Sequence, residues 1–324
     1  MMKGHVFALT ASPTLDLSGI VNQIIPSEKN YVYDQIKSPG GNGINAARIL
    51  TRLRIPTLAT GFLGGSVGEE IKFLLDKEGV KNRFIPIKEH SRICVTVSNR
   101  SDHQQTRLTF PGPHISPNEK RALFSLVAND KKIKILVMGG SLPSGFEVQD
   151  AKKILKIMRQ KNIPCIVDCP GMILRDLINE RPTLIKPNLM EFQEATRSSG
   201  FTIQAVRQAA QKILEKVPYV CVSSVEDGAL LITRDKSYFG KIPKIKIRST
   251  VGAGDSMVGA MTAQLFQKNA SAQDILRWGL AAAAATLSNP GTAFGTASEI
   301  QMLYKKTKVE TILHPPYFNN MIYS

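Results

Sequence analysis

The chain has 324 residues, of which 43% are hydrophobic, 21% charged and 6% aromatic, enough for one large α/β domain or two small ones and too few rings for an aromatic-rich binding surface. Its net charge of +16 sits on Lys and Arg scattered over many helix faces, with one short cluster at Lys131, Lys132 and Lys134. Without zinc-finger spacing or an aromatic-interleaved basic stretch, that balance points to anionic metabolites rather than nucleic acid as the partner.

Residues 6–9 read as a buried strand running into Thr10-Ala11-Ser12-Pro13-Thr14-Leu15-Asp16. Asp16 thus lies beyond a strand's carboxyl end, where open α/β sheets bind ligands, although a turn Asp fits there too. Residues 17–21 and 30–33 are short alternating pieces outside the main rhythm, with Lys29 on the turn between them. Pro39-Gly40-Gly41-Asn42-Gly43-Ile44-Asn45 is a glycine-rich loop that opens a helix and matches neither a Walker nor a Rossmann pattern. Such a loop lets backbone amides face a polar ligand, and Asn45 offers both donor and acceptor; a tight turn with close helix–sheet packing is the other reading. Next come a strand at 57–61, a helix at 69–78, and two alternating strands at 93–97 and 106–110, with Arg92 entering the first.

From residue 135 strands and helices alternate: strand 135–138, helix 151–160, strand 165–168, a strand end at Leu184-Ile185-Lys186-Pro187-Asn188, helix 203–216, and strands 219–224 and 229–233. This rhythm predicts a doubly wound, mostly parallel sheet. Residues 244–248 alternate like a strand, and 272–287 form a long Ala-rich helix. The tail after Val309 has no periodicity, which fits a disordered segment or one packed on a neighbour. Cys94, Cys165, Cys169 and Cys221 stand in apolar contexts, which predicts reduced thiols and a cytoplasmic protein. No signal peptide and no membrane segment are predicted.

The stretch Ser249-Thr250-Val251-Gly252-Ala253-Gly254-Asp255 carries the most chemistry. Met257, Val258, Met261 and Leu265 follow at helical spacing, so Gly252 to Asp255 sits where a helix begins. Free amides and the helix dipole there favour an anion. Asp255 fits a helix cap as well as a functional carboxylate.

With the glycine-rich loop at 40–48, these residues resemble the ribokinase-like (PfkB) sugar kinases over about residues 5–305, and within them the type 2 6-phosphofructokinases. Gly140-Ser141-Leu142-Pro143, Ile166-Val167-Asp168 and Lys186-Pro187-Asn188 through Glu191 support the resemblance. It implies a ribokinase-like α/β sheet flanked by helices (residues 1–16, 38–90 and 111–324) with a small β lid at 17–37 and 91–110 through which such enzymes dimerise. It implies ATP as co-substrate, Mg²⁺, and room for a monovalent cation. By the same resemblance Asp255 is the base, with the amides of Gly252, Ala253 and Gly254 holding the transferring phosphoryl group. Asp16, Gly41, Asn45 and Ser141 would bind the sugar, and Lys29 and Arg92 its phosphate. Lys186, Asn188, Ser223 and Gly228 would bind the nucleotide, with Glu191 and Asn188 holding Mg²⁺ through water.

The implied reaction converts fructose 6-phosphate to fructose 1,6-bisphosphate. The alternatives are 1-phosphofructokinase, tagatose-6-phosphate kinase and a catalytically silent binding or regulatory protein. Asn42 stands where the first two usually carry Lys, and the loop at 223–228 lacks the family's inner Gly.

Overall fold

The computed structural model describes residues 4–102, 104–267, 270–291 and 293–313. In chain order the first half runs β1 (His5–Thr10), β2 (Thr14–Val21), β3 (Tyr33–Gly40), α1 (Asn42–Arg52), β4 (Thr57–Leu63), α2 (Gly65–Lys77), β5 (Ile85–Pro86), β6 (Arg92–Asn99), β7 (Gln105–Thr109), α3 (Pro117–Asn129), β8 (Ile133–Gly139) and α4 (Val148–Gln160). The second half continues with β9 (Cys165–Asp168), α5 (Gly171–Leu177), β10 (Leu184–Ile185), α6 (Leu189–Thr196), α7 (Ile203–Leu214), β11 (Tyr219–Val225), β12 (Gly228–Ile232), β13 (Lys236–Gly240), α8 (Ala253–Gln267), α9 (Ala272–Leu287), α10 (Ala297–Lys306) and β14 (Val309–Leu313).

The main sheet has the order β14-β13-β12-β11-β10-β9-β8-β1-β4-β5. It is parallel from β11 to β5, and β12, β13 and β14 add antiparallel at one edge. Both faces of its centre are covered, so the strands are apolar on both sides. Along β1, Phe7 and Leu9 enter one core with Leu136 and Ile154, while Val6 and Ala8 enter the other with Ile44 and Met261. That period of two fixes the register, because a one-residue slip would exchange the two cores.

A second sheet of order β3-β2-β6-β7 stands apart from the first. Its strands begin at Thr14 and run on to Gly40, beyond the 17–37 span expected from sequence. The alternation at 30–33 enters the ladder only at Tyr33, and α2 starts at Gly65 rather than at Glu69.

Two expectations are corrected. Residues 244–248 do not form a strand: the edge they would need on β13 is occupied by β14, and the segment ends with Arg248 N donating to Leu287 O at 2.8 Å. The tail is not structureless from its start, since Val309–Leu313 is that edge strand; residues 314–324 lie outside the described part. Helix α3 went unread although Ser116 and Glu119 form a capping box with Pro117 at its first turn. All four cysteines are free thiols and buried.

Candidate active site

The turn Thr250-Val251-Gly252 leads into α8, and Gly252 has φ +78°, a left-handed conformation. A Cβ there would also stand 2.7 Å from the Phe294 ring, so the turn admits only glycine. The first helical bond is Ser256 N to Gly252 O at 2.9 Å. The amides of Ala253, Gly254 and Asp255 therefore have no carbonyl within the helix to bond, and they form a positive rim.

The Asp255 carboxylate is not spent on capping that helix. It accepts from Asn45 Nδ2 on α1 at 2.7 Å. Burial, and next the charge of Asp168, push its carboxyl up to about 7, while the Asn45 bond and Lys186 pull the other way. A carboxyl poised near neutrality can take a proton and pass it on.

Beneath the turn lies a buried ion pair. Lys186, only 4% exposed, places Nζ 3.3 Å from Asp168 Oδ1. Burial works against its charge, but Asp168, Cys221, Glu191 and Asp255 together outweigh that and hold the ammonium above its ordinary range. Lys186 Nζ also lies against Gly254, and Asn42 Nδ2 donates to Asp168 Oδ2 at 3.2 Å. The pair thus links the end of β9, the end of β10 and the start of α8.

The opposite wall belongs to the second sheet. Thr14↔Arg92 and Thr96↔Arg107 are register partners, and Asp16 lies two residues along β2 from Thr14. Pleating turns Thr14, Asp16, Arg92, Thr96, Gln105 and Arg107 to one face. They enclose a cleft of about 410 Å³ together with Gly41, Asn42, Asn45, Thr250, Val251, Gly252, Gly254 and Asp255. Burial raises Asp16 to about 6, opposed by Arg107, Arg48 and Arg92. Asp16 Oδ1 and Arg92 Nε are both buried without a hydrogen-bond partner among the described residues. Such groups are costly unless something outside the chain satisfies them.

The expected residues fall into three groups. Asp255, Gly252, Gly254, Asp16, Gly41, Asn45 and Arg92 line the cleft itself, with Ala253 in the same helical turn. Ser141 touches it only through Arg92, whose Nη2 lies 3.4 Å from Ser141 Oγ. Lys29 does not line this cleft; it sits exposed in the β2–β3 connection, and Arg107 from β7 is the second cation on the cleft wall beside Arg92.

On the other side of Lys186, Asn188 and Glu191 form a capping box at the start of α6. Asn188 Oδ1 accepts from Glu191 N at 2.9 Å, and Glu191 Oε2 from Asn188 N at 2.8 Å. Burial raises the Glu191 carboxyl, the Asn188 backbone bond pulls it down, and the like charge of Asp168 adds to the rise. Ser223 bridges to Asn188 across the ends of β10 and β11, and Gly228 opens β12. Between them Ser224, Glu226 and Asp227 all have positive φ, so the loop makes its turns without the inner glycine. Sequence reading assigned no role to Asp168, Asn42 or Arg107. Arg107 was detectable as a cation on the same strand face as Gln105.

Residues 8–299 match the pfkB family carbohydrate kinases. The chain is 34% identical over 303 residues to the ATP-dependent 6-phosphofructokinase isozyme 2 of Escherichia coli strain K12, covering 93% of this chain and 98% of that one. It is 30% identical over 305 residues to the 1-phosphofructokinase of Bacillus subtilis strain 168, covering 94% and 99%. The solved structure of Escherichia coli phosphofructokinase-2 in complex with substrates and products superposes with a TM-score of 0.88 at 33% identity, covering 93% of this chain and 98% of that one. Matched over most of its length, with the glycine turn and carboxylate at one cleft and the buried lysine beneath them, the chain belongs to the pfkB family of carbohydrate kinases.

Proposed function

We propose that this chain is an ATP-dependent 6-phosphofructokinase, converting fructose 6-phosphate and ATP to fructose 1,6-bisphosphate and ADP. The observation that carries the reading is the pair of unsatisfied buried groups, Asp16 Oδ1 and Arg92 Nε, on the wall facing Asp255. A sugar phosphate supplies what both lack: hydroxyls for Asp16 and phosphate oxygens for Arg92 and Arg107. Arginine suits a phosphate because its planar fork makes two parallel bonds. Relatives named 6-phosphofructokinase and 1-phosphofructokinase support the same substrate class.

In the step itself a sugar hydroxyl gives its proton to Asp255 as its oxygen bonds to the γ-phosphorus, and ADP leaves. The amides of Gly252, Ala253 and Gly254 hold the charge that spreads over the transferring group. Lys186, kept cationic by Asp168, neutralises the nucleotide phosphates. Phosphoryl transfer needs little beyond such positioning and electrostatics.

Burial and the charge of Asp168 raise the cost of charging Glu191, and a divalent cation beside it would relieve that. Among the described residues no three acidic, His or Cys side chains converge on one point. The oxygen donors of Glu191 and Asn188 suit a hard cation that keeps several waters, and fit Mg²⁺ held through water and by phosphate oxygens, where it would screen the charge of the nucleotide. Escherichia coli phosphofructokinase-2 is also solved in complex with potassium, so monovalent ions belong in the test. The exposed Tyr33 and Leu108 on the second sheet, with the exposed Tyr31 and Phe110 just beyond its strand ends, support self-association through it. A tetrameric inhibited form of that relative is solved, so light scattering with and without ATP measures the assembly here.

The decisive assay is ADP release with Mg-ATP against fructose 6-phosphate, fructose 1-phosphate and tagatose 6-phosphate in parallel. A clear preference for the first supports the assignment. Preference for another sugar keeps the base and moves the specificity. No turnover with any of them favours a silent binding protein.

A further inference from the structure

The Asp255 carboxylate is held by Asn45, and Asn45 is itself held. Arg48, one helical turn further along α1, is 4% exposed and donates from Nη1 to Asn45 Oδ1 at 3.3 Å and to Pro39 O at 3.2 Å. A guanidinium has only donors, so the Asn45 atom facing it must be the carbonyl oxygen. The amide nitrogen is then turned to Asp255, which needs a donor. The other side of the guanidinium is clamped: Nε and Nη2 reach Glu78 Oε2 and Oε1 at 2.9 and 2.6 Å. Its plane lies 4.4 Å from the centre of the Phe294 ring, the same ring that backs Gly252.

We propose that Arg48 is a positioning residue for this chain's catalytic turn: it fixes which end of the Asn45 amide meets Asp255, and through Phe294 it braces the glycine turn that holds the transferring phosphoryl group. Glu78 anchors Arg48 in turn, so the chain of contact runs Glu78–Arg48–Asn45–Asp255, from the C-terminal end of α2 to the N-terminal end of α8. Arg48 contacts neither reactant; it acts through Asn45 and Phe294. The proposal rests on the kinase reading for its consequence in turnover, but its first readout does not.

The carboxyl of Asp255 is faced by Asp168 at the end of β9, Lys186 beyond β10, Asp16 on β2 and Asn45 on α1. Only the last is under Arg48's control by direct contact. A hydrogen bond to the charged form of an acid favours that form. Removing Arg48 lets the Asn45 amide rotate, so Asp255 should hold its proton to higher pH.

The test is the Asp255 carboxyl titration by ¹³C NMR, assigned with Asp255→Asn, in parent and Arg48→Met. The expected result is a rise of about one pH unit, a size typical of losing one such bond. The acidic limb of kcat/KM should move up by the same amount. Arg48→Lys, which keeps a donor and a charge but loses the fork on Glu78, should recover most of the shift while melting below the parent. In an Asn45→Ala background, Arg48→Met should add no further shift.

A folded Arg48→Met protein whose Asp255 titrates as in the parent would overturn the proposal. So would an additive shift in the Asn45→Ala background, which would mean charge acting through space. Should Arg48→Met not fold, Arg48→Lys and Asn45→Ala carry the test: an unchanged Asp255 titration in Asn45→Ala overturns it equally. A parent without turnover on any phosphosugar would sink the kinase reading and leave the titration result standing.

Discussion

Replacing Lys186 by Met would leave Asp168 as an uncompensated buried carboxylate. At 3.3 Å and an effective dielectric of about 20, the lost attraction is about 5 kcal/mol before solvation is counted. Breaking one partner out of a buried pair typically costs about 3–5 kcal/mol. Both side chains are buried here, so solvent screening takes little from that figure. A chain of this length unfolds with an entropy of about 0.7 kcal/mol per kelvin, so the melting temperature should fall by about 4–7 °C. Differential scanning calorimetry of the unliganded protein at pH 7.5 measures it. Restoring neutrality with Lys186→Met/Asp168→Asn should return more than half of the loss, because Asn42 keeps an acceptor and no charge is stranded. The parent's lysine is held above its ordinary range, so its contribution is fully present below about pH 10 and is lost as pH rises through the raised value. A Lys186→Met protein that melts within about 1 °C of the parent would refute the uncompensated-charge argument. A double variant as unstable as the single one would point to packing instead.

Asp255→Asn should lower turnover by at least about two orders of magnitude while leaving ATP affinity near that of the parent. The same variant should melt higher than the parent at pH 8. The folded carboxyl sits near 7 against 3.8 unfolded, so the native state binds the extra proton and loses stability as pH rises between those values. By pH 4 the gain should have vanished, and calorimetry across that range checks the sign. Gly252→Ala should cut turnover and melt lower by about 1–3 kcal/mol equivalent, since it combines a left-handed backbone with a collision against Phe294. Burial pushes the Cys165 and Cys221 thiols up to about 12. Native protein should therefore release almost no chromophore from a disulfide thiol reagent at pH 8, and four equivalents after denaturation.

What could be read from the sequence was what local pattern encodes. The Gly252 turn, the start of α8 and the Asn45 loop announce themselves through glycines at fixed offsets and a helical stripe behind them. Asn188 and Glu191 were singled out only through the resemblance, and their reciprocal capping bonds came from the structure. The edge was not legible, because β14 reaches β13 across about seventy residues and takes the place that the alternation at 244–248 would need. Asp168 looked like an ordinary strand end because its partner Lys186 lies on the next strand. Lys29 was placed at the substrate by resemblance, yet the β2–β3 connection carries it away from the cleft of its own chain. Arg107 was passed over since its strand was read for pairing and not for the side on which each residue emerges.

Helix α9 buries the run Ala281 to Ala285 together with Gly279, and Gly279 lies against Met261 of α8. Ser256 and Thr286 join the two helices by a 2.7 Å bond between hydroxyls. Methyl groups carry no rotamers, so along Ala281–Ala285 α9 itself has nothing to fold aside for a larger substitution, and the give on this seam comes from Met261 of α8 opposite Gly279. A larger residue where the run meets α8 would press on the helix that carries Asp255, whose neighbour Ser256 is the residue bonded to Thr286. The placement of the base thus depends on the small residues of a helix that contributes nothing to the lining of the cleft.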